Sequence, residues 1–270
     1  APTLDEATLS RLPRLKAFFY GAGSVRYFVT DAVWERGITV CSAWHANAIP
    51  VAEFTFAHVI LALKRYPAHA RAVRRMRKFT RLDMPGVYES TVGLVSLGQI
   101  GSRVARMLQQ LDIDVLAYDP FCDADKAASL GVTLCDLPHL FAESDVVSLH
   151  IPWLKETEGM ITRELMASMK PGATLINTAR GKVLDEPGLI EVLEDRPDLF
   201  AVLDVTYPEP PKPDSPLYTL DNVMLSPHIA GSTGKEVRRM GRYMIDEFDR
   251  YMNNEPLRYE VTPKVLETMA

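Results

Sequence analysis

Short apolar runs alternate with amphipathic segments between residues 91 and 225. Short apolar runs bounded by turn residues are typical of buried strands, and apolar positions three or four residues apart are typical of helices. The pattern predicts strands at Val92–Ser96, Ile113–Ala117, Val132–Leu134, Asp145–Leu149, Ala173–Asn177, Phe200–Asp204 and Val223–Leu225. It predicts helices at Ile100–Gln110, Ala124–Leu130, Leu137–Glu143, Arg163–Met169 and Glu186–Glu194. This alternation indicates an α/β fold built on a doubly wound parallel sheet.

The flanking segments predict a second, smaller α/β domain. We expect strands at Leu15–Tyr20 and Ile38–Cys41, a loop at Ser42–Pro50, and helices at Asp31–Arg36, Val51–Tyr66, Ala68–Phe79 and Lys235–Met252. Residues 1–14 are polar, and we expect them on the surface; the last helix leads to a polar tail. The predicted division is a main domain at 67–230 and a discontinuous domain formed by 1–66 and 231–270. A cleft between two domains is the expected ligand site.

The segment between the first two strands of the main domain carries a glycine motif, Ser96-Leu97-Gly98-Gln99-Ile100-Gly101. A strand, a glycine turn, a helix, a second strand and an acid in this order are the dinucleotide-binding fingerprint. Gly98 allows close approach of a pyrophosphate, and Gly101 allows close packing of helix and strand. The predicted cofactor contacts here are Gly98, Gln99, Ile100, Gly101, Asp119 and Pro120. Ser96 replaces the first glycine, and the alternative is an ordinary βαβ unit.

Asp119 ends the second strand and predicts NAD rather than NADP as the cofactor. The carboxylate would accept hydrogen bonds from the adenosine ribose. A 2′-phosphate about 4 Å away would be repelled by on the order of 4 kcal/mol per charge pair at an effective dielectric constant of ~20. No Arg or Lys stands at positions 120–122 to hold such a phosphate.

Composition narrows the class of protein. The sequence is 47% apolar, with a formal net charge of −5, which does not suggest a nucleic-acid-binding protein. No apolar run reaches the ~20 residues of a membrane helix, so we expect no membrane contact. Cys41, Cys122 and Cys135 fit neither a disulfide framework nor a zinc site. We expect reduced thiols, a cytoplasmic location and no metal.

Polar residues follow the predicted strands at the edge where ligands of open α/β sheets bind. Arg180 follows one strand, Glu209 the next and His228 the last, and His150 follows the strand at 145–149. We expect these side chains to converge on the edge of the sheet that binds the cofactor. The structural alternatives are a turn residue for His228, a salt-bridge partner for Arg180 and a solvated loop carboxylate for Glu209.

The stretches VGLVSLGQIG, LAYDP, SLHIPWLKETEGMI, MKPGATLINTARGKVLDE, VLDVTYPEPP and LSPHIAGST resemble the D-2-hydroxyacid dehydrogenases, and the similarity runs from about Leu15 to Pro256. The resemblance implies a Rossmann NAD-binding domain, a flavodoxin-like substrate domain and a catalytic set of Arg180, Glu209 and His228. It also implies cofactor contacts from His150, Pro152, Thr157, Thr178, Ala179, Asp204, Ala230 and Gly231. Packing is an equal alternative for His150, and helix capping is an alternative for Asp204. The match begins part-way into the small domain, so we expect that domain to be incomplete at its N-terminus.

The catalytic residue types suit 2-oxo acid reduction. The planar guanidinium group of Arg180 can bind a carboxylate or polarise a ketone. His228 can act as general acid during hydride transfer and as base in reverse, while Glu209 fixes its tautomer and favours its protonated form.

The predicted substrate loop departs from the family pattern at two positions. The family loop that receives the substrate carboxylate matches Gly21–Val25, but Ser24 and Arg26 stand where relatives often have Gly and Asp. The predicted substrate contacts are Ala22, Gly23, Ser24, Trp44, Asn47 and Arg180, and core packing is an equal alternative for Trp44.

The leading hypothesis is an NAD-dependent oxidoreductase that interconverts a small 2-oxo acid and a D-2-hydroxy acid. The rival is a non-catalytic NAD sensor that resembles the corepressors of this family. Formate oxidation is disfavoured by Glu209, because formate enzymes of the family usually carry Gln there. The resemblance also implies a homodimer through the nucleotide domain, and we place the contact at helix Ala68–Phe79. The alternative is that the basic surface of this helix faces solvent.

Overall fold

The structure is a computed structural model that describes residues 2–269. The chain divides into two compact units, Val51–Ala230 and the combination of Ala1–Pro50 with Gly231–Ala270. The first boundary lies inside one long helix, whereas the sequence pattern placed it after residue 66. Residues 51–63 join the larger unit because Ala52, Val59 and Leu63 are buried in one of its apolar clusters.

The larger unit contains a parallel seven-stranded sheet, as the sequence predicts. Its strands are β3 (Ser90–Val95), β4 (Ile113–Tyr118), β5 (Thr133–Leu134), β6 (Val146–Leu149), β7 (Thr174–Asn177), β8 (Phe200–Leu203) and β9 (Val223–Leu225). The strand order is β5-β4-β3-β6-β7-β8-β9. The chain therefore reverses direction across the sheet between β3 and β6, which is the position where such folds bind ligands.

Several helices of the larger unit begin at recognisable capping residues. The unit contains α4 (Tyr66–Met76), α5 (Gly101–Leu108), α6 (Ala124–Leu130), α7 (Leu137–Glu143), α8 (Arg163–Ala167) and α9 (Glu186–Asp195). Asp123, Asp136 and Asp185 each accept a hydrogen bond from a backbone N–H in the first turn of the following helix. These caps satisfy donors that have no partner within the helix.

The sheet is buried on both faces. One apolar cluster includes Phe141, Leu149 and Leu175, and the other includes Leu94, Val104 and Leu108. Burial on both sides explains why β6 and β7 are fully buried runs rather than alternating ones.

The smaller unit contains a two-stranded parallel sheet, β1 (Ala17–Tyr20) and β2 (Thr39–Ser42). Its helices are α1 (Glu6–Ser10), α2 (Asp31–Glu35), α10 (Val237–Met252) and α11 (Pro263–Thr268). We expected the terminal segments to be polar, but apolar residues of both segments are buried. Leu4, Leu9 and Val261 are buried in the core of this unit, and Val261 N donates to Val40 O beside β2.

The segment predicted as a loop at 42–50 is mostly helical. Helix α3 runs from Trp44 to Leu63 with Pro50 inside it, so it begins well before the position that we predicted. Proline normally ends or kinks a helix because it lacks an N–H group, and it therefore obscured the pattern. Within residues 2–269, α3 is also the helix long and apolar enough to cross a membrane by length and composition. Half of the relevant window is buried within the protein, and core helices pass the same test.

Candidate active site

The last residues of six strands in the large sheet are aligned in register. Tyr118, Val95, Leu149, Asn177, Leu203 and Leu225 are successive register partners across the sheet. The residues that follow them therefore emerge at one edge, as expected of parallel strands. They are Asp119, Ser96, His150, Thr178, Asp204 and Ser226.

The glycine turn after β3 has the geometry of a phosphate-binding loop. A Cβ added at Gly101 would clash with the carbonyl oxygen of Ser96, whereas a Cβ at Gly98 would meet no atom within 4 Å. Gly101 thus permits close packing, and Gly98 leaves open space outside the turn. Ser96 adopts a φ of 79°, so the position usually held by glycine keeps a backbone conformation that favours glycine.

The residues of the turn fit a dinucleotide. The first backbone hydrogen bond at this end of the helix runs from Ser102 N to Gly98 O, so the N–H groups of residues 99–101 precede the helical ladder. Amides at a helix N-terminus, together with the helix dipole, bind phosphates. Gln99 and Ile100 lie in this turn, and Pro120 is exposed beside Asp119.

Asp119 is held firmly at the end of β4. Its carboxylate accepts hydrogen bonds from Leu97 N at 2.7 Å and from Phe121 N at 2.8 Å. The acid therefore contacts the glycine turn directly, and its remaining lone pairs stay available for ribose hydroxyls.

His228 and Glu209 form a close pair beyond the adjacent ends of β8 and β9. His228 Nδ1 lies 2.6 Å from Glu209 Oε1, and both side chains remain nearly half exposed, at 46% and 44%. His228 adopts a φ of 54°, and its backbone N–H points to the carbonyl oxygens of Asp204 and Ser226. Because Nδ1 is engaged by the carboxylate, Nε2 is the ring nitrogen available for proton transfer.

Asp204 anchors the loop that carries His228. Its buried carboxylate accepts hydrogen bonds from Ser226 Oγ at 2.6 Å, Ile229 N at 2.9 Å and Ala230 N at 2.8 Å. These partners belong to the loop after β9, so Asp204 does not cap a helix. Ala230, a predicted cofactor contact, is buried at this anchor.

Arg180 follows β7 in a tightly fixed loop. Asn177 Nδ2 donates to the Arg180 carbonyl at 2.9 Å, and Arg180 Nη1 donates to Ala179 O at 2.6 Å. A Cβ on the next residue, Gly181, would clash with the backbone of Thr206. The Arg180 loop therefore packs against the segment that leads to Glu209, and the three candidate catalytic residues lie on neighbouring loops.

Thr178 and Thr157 make internal contacts at the same edge of the sheet. The Thr178 hydroxyl lies 3.1 Å from the hydroxyl of Thr55 on α3, and both residues are buried. Thr157 Oγ1 donates to Pro152 O at 2.6 Å and orders the loop after β6. Contacts of these residues with a cofactor stay a prediction.

His150 lies behind the glycine turn. Its Nε2 is 3.1 Å from Ser148 Oγ, and its Cδ2 would be 3.4 Å from a Cβ on Gly101. Burial lowers the pKa of His150 to about 3, so the imidazole is neutral at physiological pH. Among the described residues, its buried Nδ1 has no hydrogen-bond partner. These contacts describe a side chain that packs under the turn, and a cofactor contact stays a prediction.

The predicted substrate residues of the smaller unit cluster around Asn47. Asn47 Oδ1 accepts from Ser232 N at 2.8 Å, and the Asn47 side chain lies beside both Gly23 and Gly231. The carbonyl groups of Ala22 and Gly23 accept hydrogen bonds from Ser42 Oγ.

The other residues of this unit are braced internally. Trp44 packs against the core, and its buried indole nitrogen has no hydrogen-bond partner within residues 2–269. Ser24 Oγ accepts from Arg26 N, and the Arg26 guanidinium donates to carbonyl oxygens of Leu266 and Met269. The guanidinium thus stabilises the C-terminus of α11. Roles of these residues in substrate binding stay predictions.

A comparison with protein families decides the assignment of the chain. The family model described as D-isomer specific 2-hydroxyacid dehydrogenase, NAD binding domain, matches residues 56–230. The chain belongs to this family. The matched region is the family's NAD-binding domain, and NAD is its cofactor.

Relatives and solved structures agree with this family. The chain is 36% identical over 268 residues to a D-3-phosphoglycerate dehydrogenase of Archaeoglobus fulgidus, and 35% identical over 243 residues to one of Mycobacterium tuberculosis. These alignments cover 98% and 89% of the chain but 50% and 46% of the relatives, so the chain spans about half their length. A D-lactate dehydrogenase of Lactobacillus jensenii, solved with NAD⁺, is 27% identical with a TM-score of 0.82, over 97% of this chain and 84% of that one.

Sequence patterns missed two contributors to this candidate site. Lys126 Nζ donates to Leu97 O at 2.9 Å, and Asn177 fixes the Arg180 loop. Lys126 is in the first turn of α6, where the sequence pattern predicts a solvated lysine. No motif indicates that its side chain extends to the glycine turn. Asn177 directly precedes the loop and was visible as the polar end of a buried strand. Within residues 2–269, no group of three or more His, Cys, Asp or Glu side chains is arranged to hold a metal ion.

Proposed function

We propose that this protein uses NAD(H) to interconvert a small 2-oxo acid and the corresponding D-2-hydroxy acid. The observation that carries the proposal is the 2.6 Å contact between His228 and Glu209 at the sheet edge that also bears Arg180 and the glycine turn. When bound, NADH supplies the hydride. The protein supplies placement, a proton and charge stabilisation.

His228 is the proposed general acid. During reduction, Nε2 donates a proton to the ketone oxygen, and in the reverse direction it accepts the proton of the hydroxyl group. Glu209 accepts a hydrogen bond from Nδ1 and stabilises the imidazolium that precedes proton transfer. The partial exposure of both side chains leaves the imidazole accessible to a substrate.

Arg180 is the proposed substrate anchor. One of its nitrogens is engaged by Ala179 O, and the remaining N–H donors of the guanidinium can bind a carboxylate or the ketone oxygen. Its permanent charge suits an anionic 2-oxo acid. Together, Arg180 and His228 would hold the substrate carbonyl carbon near the nicotinamide ring.

A substrate panel tests this function. We expect NADH absorbance to fall with glyoxylate, hydroxypyruvate, pyruvate or a bulkier 2-oxo acid. D-3-phosphoglycerate with NAD⁺ is the reverse assay, because the curated relatives bear that name. Tight NADH binding without turnover of any panel member would contradict the enzyme and favour the NAD sensor.

A second proposal is that the protein forms a homodimer through the α4 region. The large apolar side chains exposed there are Tyr66, Met76, Phe79, Met84 and Tyr88. A 590 Å³ groove beneath α4 is lined by both arginines and aspartates, including Arg71, Asp198 and Asp221. A self-complementary surface of this kind suits a two-fold interface.

Phe79→Glu is expected to convert the dimer into a monomer, because it places a charge in the apolar centre of the proposed contact. Light scattering coupled to gel filtration measures the mass. Phe121→Glu is the matched control, since Phe121 is also largely exposed but lies outside the α4 region. A monomeric wild type, or a Phe79→Glu variant that stays dimeric, would contradict the proposed interface.

A further inference from the structure

Lys126 and Asp119 meet at one residue of the glycine turn. Leu97 N donates to Asp119 Oδ2 at 2.7 Å, and Leu97 O accepts from Lys126 Nζ at 2.9 Å. Because the N and O atoms of one residue are close together, the carboxylate and ammonium groups lie within about 10 Å of each other. A cation therefore lies near the acid at the end of β4.

The nearby Cys122 thiol is affected by both charges. Burial raises the pKa of Cys122, Lys126 opposes this effect, and Asp119 adds to it. Asp123, which caps α6, also raises the pKa of the thiol. Near Cys122, the ammonium of Lys126 is a group that attracts an anion, whereas Asp119 and Asp123 repel one.

The Lys126 ammonium has more N–H donors than its contact with Leu97 O uses. An ammonium group carries three N–H donors in a compact, mobile head on a flexible stem. One donor is directed at Leu97 O, an acceptor shared with Ser102 Oγ at 2.6 Å. The other two can bind an oxyanion placed near the end of β4.

We propose that Lys126 is a determinant of cofactor specificity that acts against Asp119. In the wild type, Asp119 excludes the 2′-phosphate of NADPH, so the attraction of Lys126 for that phosphate is not expressed. Once the carboxylate is removed, Lys126 provides the cation that binds the 2′-phosphate. This inference rests on the proposed NAD(H)-dependent function and extends it to the choice of cofactor.

Dissociation constants for NADH and NADPH, measured by nicotinamide fluorescence without substrate, test the proposal. The proteins are the wild type, Lys126→Gln, Asp119→Ser, the double variant and Lys64→Gln, a control at an exposed lysine in the turn after α3. We expect Asp119→Ser to tighten NADPH binding by about tenfold, the worth of one charge-assisted contact. Adding Lys126→Gln should remove that gain and weaken NADH binding by a smaller factor, because the 2′-phosphate is absent from NADH.

A difference in salt dependence is a second expected result. NADPH affinity of Asp119→Ser should fall more steeply with ionic strength than that of the double variant, because only the former has the phosphate–ammonium contact. Lys64→Gln should match the wild type for both cofactors. Melting temperatures show whether each variant is folded at the temperature of the titration.

Two results would contradict the proposed role of Lys126 and leave the proposed function intact. One is equal NADPH affinity of Asp119→Ser with and without Lys126. The other is an equal loss of NADH and NADPH affinity on adding Lys126→Gln, which indicates that the lysine only braces the turn. Failure of the wild type to bind NADH would instead contradict the cofactor site, and this inference with it.

Discussion

His228→Asn is expected to slow 2-oxo acid reduction by about 10²–10⁴-fold, the usual contribution of general acid catalysis. The replacement removes the proton donor but suits the backbone, because Asn tolerates the positive φ of 54° at this position. NADH affinity should stay nearly unchanged, since no phosphate or ribose contact is assigned to this side chain.

Steady-state turnover and NADH titration measure the two effects separately. His139→Asn is the matched control, because His139 is exposed on α7 and lies outside the proposed site. Glu209→Gln should give an intermediate loss, since it keeps a hydrogen-bond acceptor for Nδ1 but removes the negative charge. Turnover by His228→Asn at the wild-type rate would exclude this residue as the acid.

Asp204→Ala is expected to lower the free energy of unfolding of the larger unit by about 3 kcal/mol, because buried donors lose a charged acceptor. The groups left without their acceptor are Ser226 Oγ, Ile229 N and Ala230 N. Turnover should fall as well, because the same loop holds His228 against Glu209.

Urea unfolding followed by circular dichroism measures the loss of stability. Asp214→Ala is the control, because Asp214 is an exposed carboxylate in the loop between β8 and β9 of the same unit. An Asp204→Ala protein with wild-type stability would show that the three hydrogen bonds are not needed to hold the loop. Wild-type turnover would show that His228 is positioned by other contacts.

The sheet and most of its helices could be predicted because local signals agree with the global fold. Helices α6 and α7 match the predicted bounds, since an aspartate cap marks each start. Strand β9 also matches, because its short apolar run lies between clear turn residues. Buried strands and capped helices carry their signal within a few residues, so a single sequence is enough to find them.

Features that depend on distant partners could not be predicted in detail. Pro50 hid the first two turns of α3 because its local preference is overridden by the surrounding structure. The Asp204 anchor depends on backbone donors that are far along the chain. Lys126 reaches the glycine turn through the length of its side chain, which no periodicity reveals. The motif placed Arg180, Glu209 and His228 on one edge, but their roles in catalysis stay predictions.

The left-handed backbone conformation at His228 also limits how this site can be re-engineered. A library that randomises the position samples few compatible side chains, because residues other than Gly, Asn and Asp incur about 1–2 kcal/mol there. Branched residues such as Val or Ile therefore carry a folding penalty before any chemistry is compared. Variants with new reactivity are best sought at the neighbouring loops, with the imidazole retained.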